Sequence, residues 1–238
     1  MNLFFTWFQD PKRPDFKRLK NVFIKSLQKH SPNIKLEEHL TEYPKKENFK
    51  TSSPSHFENI YKLNIWNEQV QKAKEPLILS DCDMIILKDI SVLKDMDLKD
   101  ITLTMRKEYS KVNCNAGFIY VKPTEKAKEF FQEWTNLSIK EFDPNRNPKW
   151  KNLYRTYLGA TQTTLGYLRE EGKYEDYISE IPCHIWNATR LDWHLINDDT
   201  KIIHIKSYLR KHILKNKKVE LSPKLKEVVK IWQEYERN

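Results

Sequence analysis

Strand-length and helix-length apolar patterns alternate along the chain. Residues 2–8, NLFFTWF, make a compact apolar run of buried-strand length. Residues 14–30 follow with apolar side chains at Phe16, Leu19, Phe23 and Leu27, a spacing that puts them on one face of a helix. NIKLEEHL (33–40) reads as a second strand, and 41–54 is polar and proline-containing, the composition of a loop. A helical pattern returns over 56–74 and stops before Pro76, leading directly into the apolar run LILSDCDMIIL at 77–87. Strand, helix, strand, helix, strand predicts an α/β fold with a largely parallel sheet.

The second half continues in the same manner. ITLTM (101–105) and GFIYV (117–121) add two strands. PTEKAKEFFQEWTNL (123–137) is a helix with proline in its first turn and a stripe of Ala127, Phe130, Phe131, Trp134 and Leu137. EFDPNRNPKWKNL (141–153) reads as a loop, 161–171 as a short helix and TKIIHI (200–205) as a late strand. The segment 222–236 is an amphipathic helix capped by Ser222 and Pro223. Neither a repeat nor linker composition interrupts this order, so one domain over 1–238 is expected.

Composition narrows the chemistry. A chain of 238 residues can bury a substantial core without disulfides. Its three cysteines, Cys82, Cys114 and Cys183, form no CxxC pair and no disulfide framework, which favours a reducing compartment. The N-terminal apolar run is too short for a signal peptide, and no segment is long enough to cross a bilayer. A cytoplasmic protein is expected. The 42 basic and 33 acidic side chains leave a net charge of +9, which suits polyanionic company or reflects lysine-rich composition alone. Lysine clusters only in KSYLRKHILKNKK (206–218). The four glycines, Gly117, Gly159, Gly166 and Gly172, are too scattered for a GxGxxG turn or a P-loop. Any phosphate must be neutralised by a metal or by Lys and Arg.

The run at 77–87 places Asp81 and Asp83 inside an apolar segment. Two apart on a strand, they face the same side while Cys82 faces away, and two converging carboxylates repel unless a proton or a cation intervenes. At the end of a strand they lie where open α/β sheets bind ligands. Paired turn aspartates are the plain structural reading. A calcium loop starting at Asp81 fails, because Ile85, Ile86 and Val92 occupy its later positions. A haloacid dehalogenase phosphatase would use Asp81 as nucleophile and NDDT (197–200) as its later acidic pair, but Ile85 stands where that family keeps a small polar residue. A metal–diphosphate site, in which a divalent cation bridges the phosphates of a nucleotide-sugar, agrees best with the scarcity of glycine. A basic nucleic-acid-binding domain is the non-enzymatic alternative, although no known reading motif is present.

Four stretches, in order, resemble one family. LILSDCDMIIL is similar to the hydrophobic–DxD–hydrophobic segment of GT-A fold glycosyltransferases, closest in pattern to glycosyltransferase family 8 and related nucleotide-diphospho-sugar transferases. NCNAGFIYVKPTEKAKEFFQEW resembles the family's NAG strand and following helix. IPCHIWN resembles its Leu-Pro…Trp-Asn segment, and IIHIKSYLRK its terminal His-x-x-Gly-x-x-Lys motif.

The resemblance implies a Rossmann-like GT-A domain with a mixed, mainly parallel sheet. Residues 1–87 would form a nucleotide-sugar half, and 88–238 an acceptor half with the metal-binding histidine. It implies that Asp81, Asp83 and His204 bind a metal. Two carboxylates and an imidazole suit Mn2+, with Mg2+ as the alternative. Lys62 would contact donor phosphate or sugar, Thr6, Trp7 and Phe8 would lie near the nucleobase, and Asn115 and Ala116 would face the donor sugar. Lys206 and Arg210 would stabilise the departing nucleotide. Gln162 would sit beneath the reacting carbon of a retaining enzyme; an inverting one would need a carboxylate base, for which Asp192 is the candidate, although a structural role is the favoured reading of Asp192.

The chain departs from the pattern at Thr161, where the family has Asp, at Ser207 in place of Gly, and at Arg210 in place of Lys. The expected donor is a nucleoside diphosphate sugar, a UDP-sugar first. The acceptor is a glycan, with polyanions such as modified DNA or a phosphorylated glycan permitted by the charge. Its contacts are expected from loops 43–56 and 141–156.

Overall fold

The computed structural model describes residues 1–8, 15–41, 54–106, 113–142 and 147–237. Six strands form the central sheet: β1 (Asn2–Phe8), β2 (Lys35–Thr41), β3 (Leu77–Ser80), β5 (Ile101–Met105), β6 (Cys114–Val121) and β7 (Ile178–Pro182). Their order across the sheet is β2-β1-β3-β6-β5-β7. β1 pairs in parallel with β2 and β3, and β5 in parallel with β7, whereas β6 is antiparallel to both neighbours. Only β6 is reversed, so the sheet is mixed and mainly parallel, as the alternating pattern predicts.

Strand alternation sorts the side chains between two faces. Phe4, Leu79 and Leu103 point to one face, against α2 (Pro54–Lys72), α3 (Glu125–Asn136), α4 (Pro148–Tyr157) and α5 (Ala160–Glu170). Leu3, Phe5 and Ile78 point to the other, against Phe23 and Leu27 of α1 (Asp15–His30). Each fully buried residue of this size stabilises the fold by roughly 1.5–3 kcal/mol relative to exposure.

Below α1 lies a second, two-stranded sheet of β4 (Met84–Ile86) and β8 (Ile202–His204), antiparallel with Met84 opposite His204. α8 (Pro223–Arg237) covers it, burying Leu225, Val228, Trp232 and Tyr235. Arg18 of α1 donates from Nε to Glu236 Oε1 at 2.6 Å.

Several elements differ from expectation. LILSDCDMIIL is not one strand: β3 ends at Ser80 and β4 begins at Met84 in the other sheet, with a bend between them. The supposed loop 141–153 contains the start of α4, which Asn147 caps by accepting from Lys149 N at 3.0 Å and Pro148 opens. Within the lysine cluster lies α7 (Ser207–Lys215), whose Leu209 and Ile213, four residues apart, are buried. β7 and the short α6 (Cys183–Trp186) were not anticipated. Of the segments expected to meet the acceptor, 43–53 and 143–146 lie outside the described residues.

Candidate active site

The carboxyl ends of β1, β3 and β5 and the amino end of β6 share one edge of the sheet and open onto a cleft of about 550 Å3. β5 and β6 slip in register there: Leu103 pairs with Ile119 but Thr104 pairs with Asn115, so residues 116–118 bulge. The bulge reaches towards β3, and Asp81 N donates to the Gly117 carbonyl at 2.8 Å. After the bend, Ile205 N donates to the Asp83 carbonyl at 2.7 Å, which ties the start of β4 to the end of β8.

This local folding gathers Asp81, Asp83 and His204, each with one ligand atom within 4.8 Å of the others. His204 is fully buried, and its Nε2 lies 2.7 Å from Asp83 Oδ1 and 3.6 Å from Asp81 Oδ2. Its other nitrogen, Nδ1, is 3.0 Å from Asn187 Oδ1. The Asn187 amide is oriented by donating from Nδ2 to Asn115 Oδ1 at 3.0 Å and Thr104 Oγ1 at 3.2 Å. Asn187 Oδ1 can only accept, so Nδ1 carries the hydrogen and the Nε2 lone pair faces the carboxylates. Burial lowers the His204 pKa and favours this neutral imidazole. Burial alone would raise the Asp83 carboxyl, but the adjoining His204, then Arg210 and Lys206, outweigh that and hold it well below the usual carboxylate range. Three acceptors aimed at one point are reconciled by a cation, so the donor set fits a divalent metal.

The space around the trio is equally restrictive. A Cβ on Gly117 would stand 2.9 Å from His204 Cε1 and 3.0 Å from both Asn115 Oδ1 and Asp81 Oδ2. The glycine of the NAG stretch is therefore needed for close approach.

Basic side chains surround the carboxylates. Lys62 of α2 bonds Asp81, and its Nζ lies 4.4 Å over the Trp66 ring. Arg210 of α7 bonds Asp83 and donates from Nε to the Ile205 carbonyl at 2.8 Å. Lys206 Nζ is 3.8 Å from Asp81 Oδ2. Ser207, on the cleft wall, has φ of +54°. That left-handed backbone explains why a glycine serves at this position of the motif, and serine keeps the conformation at a cost of about 1–2 kcal/mol. Ser207→Gly should relieve the strain, offset by the freer unfolded chain, for a net gain of under about 1 kcal/mol. Urea denaturation of the variant checks this, and a loss of stability would contradict it.

The remaining anticipated residues divide. Thr6, Trp7 and Phe8 line the cleft at the β1 end. Thr6 Oγ1 is buried without a hydrogen-bond partner among the described residues, and Lys20 Nζ sits 4.3 Å over the Trp7 ring. Asn115 and Gln162 line the cleft near its middle, and Gln162 Nε2 donates to the Tyr157 carbonyl at 2.9 Å. Ala116 does not join them. It packs into the core on the α3 side of the sheet, because the residue after Asn115 on a strand points the other way.

Asp192 is not placed as a base. Its side chain is buried, accepting from Arg106 Nε at 2.7 Å and Nη2 at 2.8 Å, and from Thr189 N and Oγ1, both at 2.9 Å. Burial opposes the Arg106 charge, and the hydrogen bonds to Asp192 reverse this and raise the guanidinium pKa. Asp192 thus positions Arg106, which does line the cleft.

Arg106, Thr189 and Arg190 escaped the sequence reading, and Asn187 entered it only as the end of IPCHIWN, without a role. Arg106 had a usable signal, a charge directly after the apolar strand ITLTM, just as Asp81 follows LILS.

Residues 23–170, more than half of the chain, match the protein family described as nucleotide-diphospho-sugar transferase. The match takes in Lys62, Asp81, Asp83, Asn115 and Gln162, while Thr6, Trp7, Phe8, His204, Lys206 and Arg210 lie outside it. No curated protein sequence matches the chain. Similar solved structures include a glycosyltransferase involved in glycosylation of the major capsid of PBCV-1, at 14% identity and TM-score 0.57, covering 90% of this chain and 98% of that one. The glycosyltransferase GlyE of Streptococcus pneumoniae TIGR4 aligns at 14% identity and TM-score 0.61 over 99% of this chain and 60% of its own. The galactosyltransferase LgtC, solved with donor and acceptor sugar analogues, aligns at 12% identity and TM-score 0.53 over 86% of each chain. At these identities the structural likeness is one of fold. With the family match spanning the two carboxylates and most of the sheet that holds them, the chain belongs to the nucleotide-diphospho-sugar transferases and is a glycosyltransferase of GT-A fold.

Proposed function

We propose that the protein transfers a sugar from a nucleoside diphosphate sugar, a UDP-sugar first, to an acceptor hydroxyl, using Mn2+ and retaining the anomeric configuration. The observation that carries this is the convergence of three acceptor atoms from Asp81, Asp83 and a neutral His204. A divalent ion held by them would polarise the diphosphate leaving group. Mn2+ is favoured over Mg2+ because one of the three ligands is imidazole nitrogen.

Lys62, Lys206 and Arg210 surround the same point and would take up negative charge as the nucleotide departs, in place of a glycine-rich loop. The unpartnered Thr6 hydroxyl and the Trp7 and Phe8 rings suit a nucleobase at the β1 end. Asn115 and Gln162 line the cleft and would face the donor sugar, and Gln162, tied to the backbone through its nitrogen, would position the reacting carbon. Retention is favoured because Asp192 is committed to Arg106. Residues 1–87 and 88–238 would work as one unit, since Asp83 and His204 come from opposite halves.

No helix among the described residues is long and apolar enough to cross a membrane, and the three cysteines are buried and free. A reducing cytoplasm suits both observations.

Thermal unfolding against UDP-, GDP-, CDP- and TDP-sugars, with and without Mn2+, tests the reading. One nucleotide should raise the melting temperature only with the ion, and Asp83→Ala should abolish the rise. Stabilisation by Mg2+ with a phosphate analogue, and by no nucleotide-sugar, would instead favour a phosphatase. The anomeric configuration of the product, read by NMR, decides between retention and inversion.

A further inference from the structure

The order of strands assigns an order to the cleft. Neighbouring strands lie roughly 4.8 Å apart, so from the end of β1 to the end of β5, across β3 and β6, is about 14 Å. If Thr6 marks the nucleobase, Asp81 and Asp83 the diphosphate and Asn115 the sugar, the next position belongs to the acceptor. Arg106 follows β5 there, and the turn bearing Thr189, Arg190 and Leu191 is bonded to it.

That turn is built to hold its shape. Asp192 N donates to the Thr189 carbonyl at 2.8 Å, and Asp192 Oδ2 accepts from both Thr189 N and Thr189 Oγ1. The backbone carrying Arg190 is therefore fixed, while the Arg190 side chain is exposed on the cleft wall.

Charge pairing singles out the same residue. Among the cations lining the cleft, Lys62 and Lys206 face Asp81, Arg210 faces Asp83 and Arg106 is neutralised by Asp192. Arg190 has no carboxylate partner among the described residues. Asp81 and Asp83 balance a divalent ion, and Lys62, Lys206 and Arg210 already exceed the two negative charges of a diphosphate, so the donor does not call on Arg190.

We propose that the acceptor is a sugar bearing an anionic group, a carboxylate or a phosphate monoester, and that Arg190 binds this group in a bidentate fashion while Leu191 meets the apolar face of the ring. The proposal rests on the glycosyltransferase reading and names the acceptor class for it.

The test uses the full chain saturated with Mn2+ and the nucleoside diphosphate that stabilises it. Binding of glucose, glucuronate and glucose 6-phosphate is measured by titration calorimetry, alongside inorganic phosphate and a short DNA oligonucleotide. At least one charged sugar should bind at least about tenfold more tightly than glucose. Which of the two is preferred separates carboxylate from phosphate. In Arg190→Gln the preference should fall below about threefold, with the nucleotide-dependent melting shift showing that the variant is folded. The proposal is overturned by equal binding of charged and neutral sugars, by binding of none of them, by binding of DNA or free phosphate alone, or by a preference that survives in Arg190→Gln. A donor melting shift that persists in those cases leaves the glycosyltransferase reading standing. No shift with any nucleotide removes that reading, and this proposal with it.

Discussion

Asp192→Ala should cost about 3–5 kcal/mol of stability, the usual penalty for stranding a buried charge. The Arg106 side chain is 3% exposed and that of Asp192 2%, so neither charge has water to fall back on. Removing the carboxylate leaves the guanidinium facing Thr189 with its main counter-charge gone. For a chain of this length the melting temperature should fall on the order of 10 °C. Removing both charges, as in Arg106→Met with Asp192→Leu, should recover part of the loss, because apolar replacements of similar volume tolerate burial better than one unpaired ion. Urea denaturation of the single and double variants measures this. A cost under about 1 kcal/mol for Asp192→Ala would mean that water reaches the pair. The consequence for activity is indirect: Asp192 holds Arg106 and the Thr189 turn together, so its loss loosens the Arg106 end of the cleft while leaving Asp81, Asp83 and His204 in place.

Gly117→Ala strikes the trio itself. The new methyl would press on His204, Asn115 and Asp81 together, at 2.9–3.0 Å. None of these can swing away easily. His204 is tied to Asn187, Asn115 accepts from Gly117 N at 2.8 Å, and Asp81 is bonded by Lys62. The ligand atoms must separate, and Mn2+ affinity should drop by about 10–100-fold, the range seen when groups supporting metal ligands are disturbed. A stability loss of roughly 1–3 kcal/mol should accompany it. Electron paramagnetic resonance of free Mn2+ gives the affinity directly, without reference to catalysis. Unchanged affinity in Gly117→Ala would show that the ion, if it binds, binds elsewhere.

The parts of this site that were legible in the chain are those set by local pattern. Asp81 and Asp83 stand out because carboxylates interrupt an apolar run, whereas His204 is singled out only by the resemblance of IIHIKSYLRK to the family's terminal motif. Strand β1, helices α1, α2, α3 and α5 and the closing helix α8 follow from apolar periodicity that is long enough to distinguish 3.6 from 2 residues. What stayed hidden depends on partners far along the chain. The run 77–87 looks continuous because both of its strands are fully buried, and only the pairing of β4 with β8 reveals the break. The bend, not strand alternation, brings Asp81 and Asp83 together. Helix α4 has ten residues and buries only Trp150 and Tyr157, so its stripe is too short to stand against the loop composition that precedes it. In α7 the charge of the lysine cluster masked two buried positions a turn apart. A structural role for Asp192 is the favoured reading of the chain, but its partner is hidden, because nothing in its neighbourhood announces an arginine 86 residues upstream.

The β4–β8 pairing also sets an order of events in time. Asp83 and His204 are 121 residues apart, and among the described residues β4 has no strand partner until β8 arrives. On a growing chain, β1, β2 and β3 can pair long before residue 204 is made, whereas closing so long a loop comes late and carries an entropic cost. An ion that needs all three ligands would find nothing to bind in the partly folded chain. It should therefore leave the refolding rate almost unchanged and act by slowing unfolding, a clasp fastened only once both ends of the molecule are home.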